Sequence, residues 1–139
     1  MPEPKPKAAI EFKMACPQFI VPDVVAAAEY YREKLGFQIL SYFLDPPVFA
    51  MVARGGVEIH FGKSDGEPPS PNHIRRKGLG LDAYVWVSDV DSLYQELGAR
   101  GVKILEPPAR RVYKCYEMVI EDNFGFRVCF SQDLSSADN

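Results

Sequence analysis

One pattern occurs twice in the chain, and it constrains the fold more than any other feature. Val21-Pro22-Asp23-Val24 is answered by Val87-Ser88-Asp89-Val90, 66 residues on. Gly36-Phe37-Gln38-Ile39-Leu40 is answered by Gly101-Val102-Lys103-Ile104-Leu105, 65 residues on. In each copy an Asp follows an apolar run and precedes a helix-like run, and a Gly then closes the helix and opens a strand. Two copies of one supersecondary unit follow from this.

In the first copy, residues 19–21 end a strand, and Asp23 is a good N-cap because its carboxylate can accept free amide protons of the first turn. Ala27, Ala28, Tyr31 and Leu35 recur at helical spacing and form the stripe expected to be buried. Gly36 suits the left-handed residue that ends a helix. Residues 37–44 read as a strand, Asp45-Pro46-Pro47 as a turn, and residues 48–53 as another strand. Gly55-Gly56 then turns the chain into Val57-Glu58-Ile59-His60-Phe61, which alternates strictly. The order is βαβββ. A Pro/Ser/Gly-rich linker occupies 64–80. The second copy begins at Leu81, carries Val90, Leu93, Tyr94 and Leu97 on its helix, and has a strand over 102–105 that Pro107-Pro108 breaks. Strands at 113–121 and 126–131 complete it. The expected architecture is α+β: two tandem βαβββ modules (12–63 and 81–132) whose curled mixed sheets surround a cleft, with mobile tails at 1–11 and 133–139.

Composition supports one soluble domain. The chain has 139 residues, 47% apolar and 25% charged, with a net charge of −3. That charge argues against nucleic acid, which calls for a basic stripe. No apolar run approaches the roughly 18 residues of a membrane span, and the N-terminus lacks the apolar core of a signal peptide. Three cysteines are no disulfide framework. The reading is a reduced, cytoplasmic protein.

Several pieces, in this order and duplicated, carry a family resemblance. They are Val21-Pro22-Asp23, Glu29-Tyr30-Tyr31, Leu35-Gly36-Phe37 and Gly55-Gly56-Val57-Glu58-Ile59-His60-Phe61. Val87-Ser88-Asp89-Val90-Asp91 and Asp122-Asn123-Phe124-Gly125-Phe126-Arg127-Val128 complete the set. Together they resemble the vicinal oxygen chelate superfamily, which includes glyoxalase I, ring-cleaving dioxygenases and bleomycin-resistance proteins, over roughly residues 12–132. Metal-dependent members place His, Glu or Gln at four cleft positions. By the resemblance these fall on Cys16, on Glu58 or His60, on Asp82, and on Cys129. Three of the four lack the usual residue, and the last turn reads Asp-Asn-Phe-Gly in place of Asp-Pro-Asp-Gly. A hard metal held by imidazole and carboxylate is therefore not expected. If any metal binds, the set would be Cys16, His60, Asp82 and Cys129, which suits zinc in a closed site.

Alternation puts Asp82, Tyr84 and Trp86 on one strand face and Ala83, Val85 and Val87 on the other. Aromatic faces in a groove stack on flat or cationic ligands. By the same parity Gln18 accompanies Cys16, Glu117 lies between Cys115 and Val119, and Arg127 accompanies Cys129. Arg127 is the natural partner for Glu117 or Asp82. The expected ligand-binding set is Gln18, Glu58, His60, Asp82, Tyr84, Trp86, Glu117 and Arg127, with no catalytic residue and no cofactor. The expected function is non-catalytic binding of a small organic molecule, an antibiotic or an aromatic metabolite, as in the bleomycin-resistance proteins. The alternative is a lyase or dioxygenase of the glyoxalase or extradiol type using a divalent metal. The resemblance further implies a homodimer.

Overall fold

A carboxylate starts each helix and a glycine follows its end. Asp23 accepts the Ala26 N–H at 3.0 Å and opens α1 (Val24–Leu35). Asp89 accepts the Ser92 N–H at 3.0 Å and opens α2 (Val90–Ala99). Gly36, at φ 73°, lets the Phe37 N–H reach back to the Tyr31 carbonyl at 3.0 Å. Gly101, at φ 77°, lets Val102 do the same to Leu97 at 3.1 Å. A side chain with a Cβ resists this conformation.

The computed structural model describes residues 8–77 and 80–135. Residues 1–7 and 136–139 of the expected tails, and 78–79 of the linker, lie outside the described residues. Around α1 the first module adds β1 (Gln18–Val21), β2 (Gln38–Phe43), β3 (Phe49–Arg54) and β4 (Val57–Lys63). A short 3-10 turn, Asn72–Ile74, interrupts the linker. The second module adds β5 (Ala83–Trp86), β6 (Lys103–Arg111), β7 (Cys115–Glu121) and β8 (Arg127–Asp133) around α2. The two sheets run β1-β4-β3-β2 and β5-β8-β7-β6. In each, the first strand pairs parallel with the last and the other pairs are antiparallel. These are the two tandem βαβββ modules expected, with neither sheet closed on itself.

One expectation fails in β6. Pro107-Pro108 does not break the strand, which continues to Arg111 with register shifts between Ile104 and Ala109. β6 is an edge strand, so proline's missing N–H is tolerated there, and the bulges absorb the irregularity.

The core lies between helices and sheets. Tyr31, Leu35, Val52, Ile59 and Phe61 fill the first module, and Leu97, Met118, Ile120 and Val128 the second. Phe19 stacks on Phe126 at 4.5 Å and joins the two into one cluster. The modules are also joined by hydrogen bonds. Tyr31 donates to Asp122 Oδ2 at 2.8 Å, Lys34 to the Arg100 carbonyl at 2.9 Å, and Arg100 to the Glu33 carbonyl at 3.1 Å. With the helices covering one face of each sheet, the other face is left for chemistry. No helix among the described residues is long and apolar enough to cross a membrane.

Candidate functional site

The alternation of β4 sends Ile59 and Phe61 into the core and leaves Glu58 and His60 on the opposite face. β1 runs parallel beside it, with Gln18 opposite His60, and the residues before β1 carry Cys16 alongside. His60 Nε2 lies 2.5 Å from Glu58 Oε2. The Cys16 thiol points at the same oxygen from 3.7 Å, and Met14 Sδ lies 3.3 Å from Cys16 Sγ. The donor atoms of Cys16, Glu58 and His60 all fall within 4.8 Å of one another. Desolvation, then the Glu58 charge, raises the Cys16 pKa and keeps the thiol protonated.

On the second sheet Tyr84 and Trp86 meet edge to face at 5.2 Å. Trp86 is 58% exposed and Tyr84 41%. Tyr84 donates to Glu117 Oε2 at 2.6 Å and contacts Ser131 Oγ at 2.9 Å. Glu117 is buried, and it also takes the Tyr113 hydroxyl and Arg111 Nε, the latter at 3.4 Å. Burial pushes the Glu117 carboxyl up, but hydrogen bonds from Tyr113, Tyr84 and Ser131 outweigh it, so the pKa is lowered. Burial, followed by the bond to Glu117, holds the Tyr84 hydroxyl protonated far above its ordinary range. Cys129, wholly enclosed behind Glu117, is pushed up to about 12 by burial and then by the Glu117 charge. A thiol so placed is an inert packing group.

Tyr84 and Trp86 share one groove with the first module. It has a volume of about 560 Å³ and is lined by Cys16, Gly56, Val57, Glu58, Tyr84 and Trp86 among others. On the helix side a second crevice of about 500 Å³ runs between Arg54, Glu96 and Phe130, and Trp86 lines it as well. The Gly55-Gly56 turn has open space where a Cβ would stand, so the groove mouth is unobstructed there.

The expected binding residues therefore divide. Glu58, Tyr84 and Trp86 line the groove, His60 braces Glu58, and Glu117 holds Tyr84 from behind. Gln18 and Asp82 border a different depression. Asp82 is engaged by backbone: its oxygens accept the Asn72 N–H at 2.9 Å and the Arg127 N–H at 2.8 Å, fixing the linker turn against β8. Arg127 is not the guanidinium partner of Glu117 or Asp82. Its Nε lies 3.6 Å from Glu121, and Glu117 takes Arg111 instead, because β6 and β7 form a hairpin that brings Arg111 across to it. Of the suggested set Cys16, His60, Asp82 and Cys129, only Cys16 and His60 fall within a group of donor atoms close enough to share an ion among the described residues. Sequence reading missed Met14, which stands two residues before Cys16, and the hairpin pair Arg111 and Tyr113. The period of two in an extended segment was the available signal for Met14.

A family model described as the glyoxalase/bleomycin resistance protein/dioxygenase superfamily matches residues 13–130. The chain belongs to this superfamily. Among solved structures, a superfamily member from Nocardioides is 21% identical, with 93% of this chain and 87% of that one covered and a TM-score of 0.67. TioX from Micromonospora sp. ML1 is 22% identical, with 86% and 97% covered and a TM-score of 0.67. A member from Alicyclobacillus acidocaldarius is 15% identical, with 88% and 92% covered and a TM-score of 0.71. At these identities the likeness is one of fold. Among curated proteins, none matches the chain.

Superfamily members often hold a divalent metal. The residues here do not fit a hard ion bound by several imidazoles and carboxylates with open positions. Asp82 is held by two backbone amides, Cys129 is enclosed, and the remaining cluster contains a thiol beside a thioether.

Proposed function

We propose that the protein binds a flat small organic molecule, such as an antibiotic or aromatic metabolite, in the groove between its modules, without catalysing its conversion. One observation carries this reading. Trp86, the chain's single tryptophan, is 58% exposed beside Tyr84 at the wall of a groove large enough for a small ligand. A large exposed aromatic is the kind of anchor that a ligand ring desolvates on stacking. Glu58 supplies the groove with a carboxylate, which favours a ligand carrying an amine or other cationic group.

The active form in this reading is a homodimer in the cytoplasm. Ile20, Leu40, Tyr42 and Phe43 on the first sheet, and Leu44 in the turn after β2, expose apolar surface that a second copy would cover. The three free cysteines support a reducing compartment. Sedimentation should give twice the chain mass at micromolar concentration.

Retention of Glu58 beside His60 favours a second reading, a metal-dependent lyase or dioxygenase. A screen of planar aromatic compounds by Trp86 fluorescence, paired with elemental analysis, separates the two. Binding is expected with no turnover, and Trp86→Ala should weaken it by about 1–3 kcal/mol. Turnover of a hemithioacetal or catechol that requires a bound divalent ion would establish the enzyme.

A further inference from the structure

The duplicated fold makes two equivalent junctions between the modules, and they are filled differently. At the first, β1 and α1 meet the turn between β7 and β8. Phe19 stacks there on Phe126 at 4.5 Å, and Phe124 packs against the same core cluster. At the second, β5 and α2 meet the turn between β3 and β4, where Arg54 clasps Glu96. Strand register gives the counterpart of each ring. Phe19 pairs with Phe61 on the last strand of its sheet, as Val85 pairs with Phe130. Four residues before Phe61 stands Val57, and four before Phe130 stands Phe126. Six residues before them stand Gly55 and Phe124. Val85, Val57 and Gly55 therefore hold the places of Phe19, Phe126 and Phe124.

Where the first junction carries three rings, the second has two valines and a glycine, and the helix-side crevice of about 500 Å³ lies there. Leu35, Phe37, Leu93, Leu97 and Phe130 complete its apolar wall. A Cβ built on Gly55 would meet nothing within 4 Å. Space of this size, apolar and set between two modules, is the form a small-molecule site takes. The charged groups at its edge are already matched. Arg54 is taken by Glu96 and the Leu35 carbonyl, and Asp89 by the amide and hydroxyl of Ser92. A charged ligand would have to break one of these pairs or sit unpaired against Leu93 and Leu97, which is costly. A neutral ring does neither, and the fork with Glu96 holds the Arg54 guanidinium as a plane on which an aromatic face stacks.

We propose that this crevice binds one uncharged aromatic ring compound, which gives the second junction the packing that Phe19 and Phe126 give the first. The site does not depend on the ligand-binding reading of the groove. Trp86, Val57 and Val85 border both spaces, but Leu93, Leu97 and Phe130 line the crevice and not the groove, while Ala15, Ala83 and Tyr84 line the groove and not the crevice.

The test is an NMR titration of the full chain, labelled at its leucine, valine and alanine methyl groups, with indole. Indole-3-acetate and tryptamine serve as the anionic and cationic comparators. Indole is expected to shift the Leu93 and Leu97 methyls in a saturable way and to bind at least about tenfold tighter there than either comparator. Val57→Phe and Leu93→Phe each put a ring into the space from opposite walls, and each should weaken that binding by at least about tenfold. Both positions are only half-buried, and the methyl spectrum itself reports whether each variant keeps the parent fold. Tyr84→Ala, which alters the groove alone, should leave the affinity read at Leu93 within about twofold. Shifts confined to Ala15 and Ala83, equal affinity for a charged comparator, loss of the Leu93 shifts in Tyr84→Ala, or unchanged binding in folded Val57→Phe or Leu93→Phe would overturn the proposal.

Discussion

Arg54 and Glu96 meet as a parallel fork, Nη1 to Oε2 at 2.8 Å and Nη2 to Oε1 at 2.9 Å. The pair ties the end of β3 to α2, and Arg54 Nη1 also caps the Leu35 carbonyl at the end of α1 at 2.8 Å. Gly36 stands directly beneath: a Cβ there would lie 2.8 Å from Arg54 Nη1. Both partners are partly exposed, so screening limits Glu96→Ala to a loss of about 0.5–1 kcal/mol, smaller in high salt. Arg54→Ala should cost more, since the Leu35 carbonyl loses its donor. Gly36→Ala should cost about 1–2 kcal/mol for its left-handed backbone and more for displacing the guanidinium. Urea unfolding of the single and double variants checks this. Gly36→Ala should cost less in an Arg54→Ala background than in the parent.

The helix caps give a second expectation. Asp23→Ala should destabilise by about 1 kcal/mol. Asp89→Ala should lose more, because its second oxygen also holds Ser92 Oγ at 2.7 Å. Thermal melts followed by circular dichroism compare the two directly, and equal melting of either variant with the parent would count against its cap.

Asp122 should titrate anomalously. Burial raises its pKa from 3.8 to about 6, against the opposing bonds from Phe124 N–H, Tyr31 and Phe126 N–H. The folded value exceeds the unfolded one, so this group's stabilisation is complete below about 3.8. It is lost as pH rises through about 6. The amount is on the order of 2–3 kcal/mol. Carbon NMR of the carboxyl should show the raised midpoint. Tyr31→Phe should raise it further, because it removes a bond to the charged form.

Glu117 holds two phenols, and its removal should be visible in both. The Tyr113 hydroxyl, pushed up to about 12 by its bond to Glu117 and then by burial, should titrate lower in Glu117→Gln. Spectrophotometric titration of tyrosine reads this. The Trp86 emission should shift in the same variant as Tyr84, 5.2 Å away, loses its charged anchor.

The repeat made the fold legible because its punctuation is local. An Asp cap and a closing Gly act within a few residues, so Asp23, Gly36, Asp89 and Gly101 can be read without knowing any distant contact. Strand alternation likewise set Glu58 and His60 on the face opposite Ile59 and Phe61, which the structure buries. Long-range pairing was not legible. Nothing near Asp82 in the chain tells that its carboxylate will be taken by amides of Asn72 and Arg127. Glu117 could be assigned a cationic partner but not the right one, because Arg111 reaches it only through the curl of β6 and β7. Pro107-Pro108 was misread for the same reason: whether a proline ends a strand depends on which edge needs its N–H.

The bonds that join the modules, Tyr31 to Asp122, Arg54 to Glu96, and the Lys34 and Arg100 pair, involve the helices or the turn beside them. The Phe19–Phe126 stack lies in the same buried layer. The molecule is thus bound along one margin like a book. Bending about that spine changes the gap between Glu58 and Trp86 while leaving the binding itself close to its axis, where displacements are smallest. A change in the groove's width is therefore the motion that would disturb these joining contacts least, and in the proposed binding reading it would let the groove take ligands of different thickness.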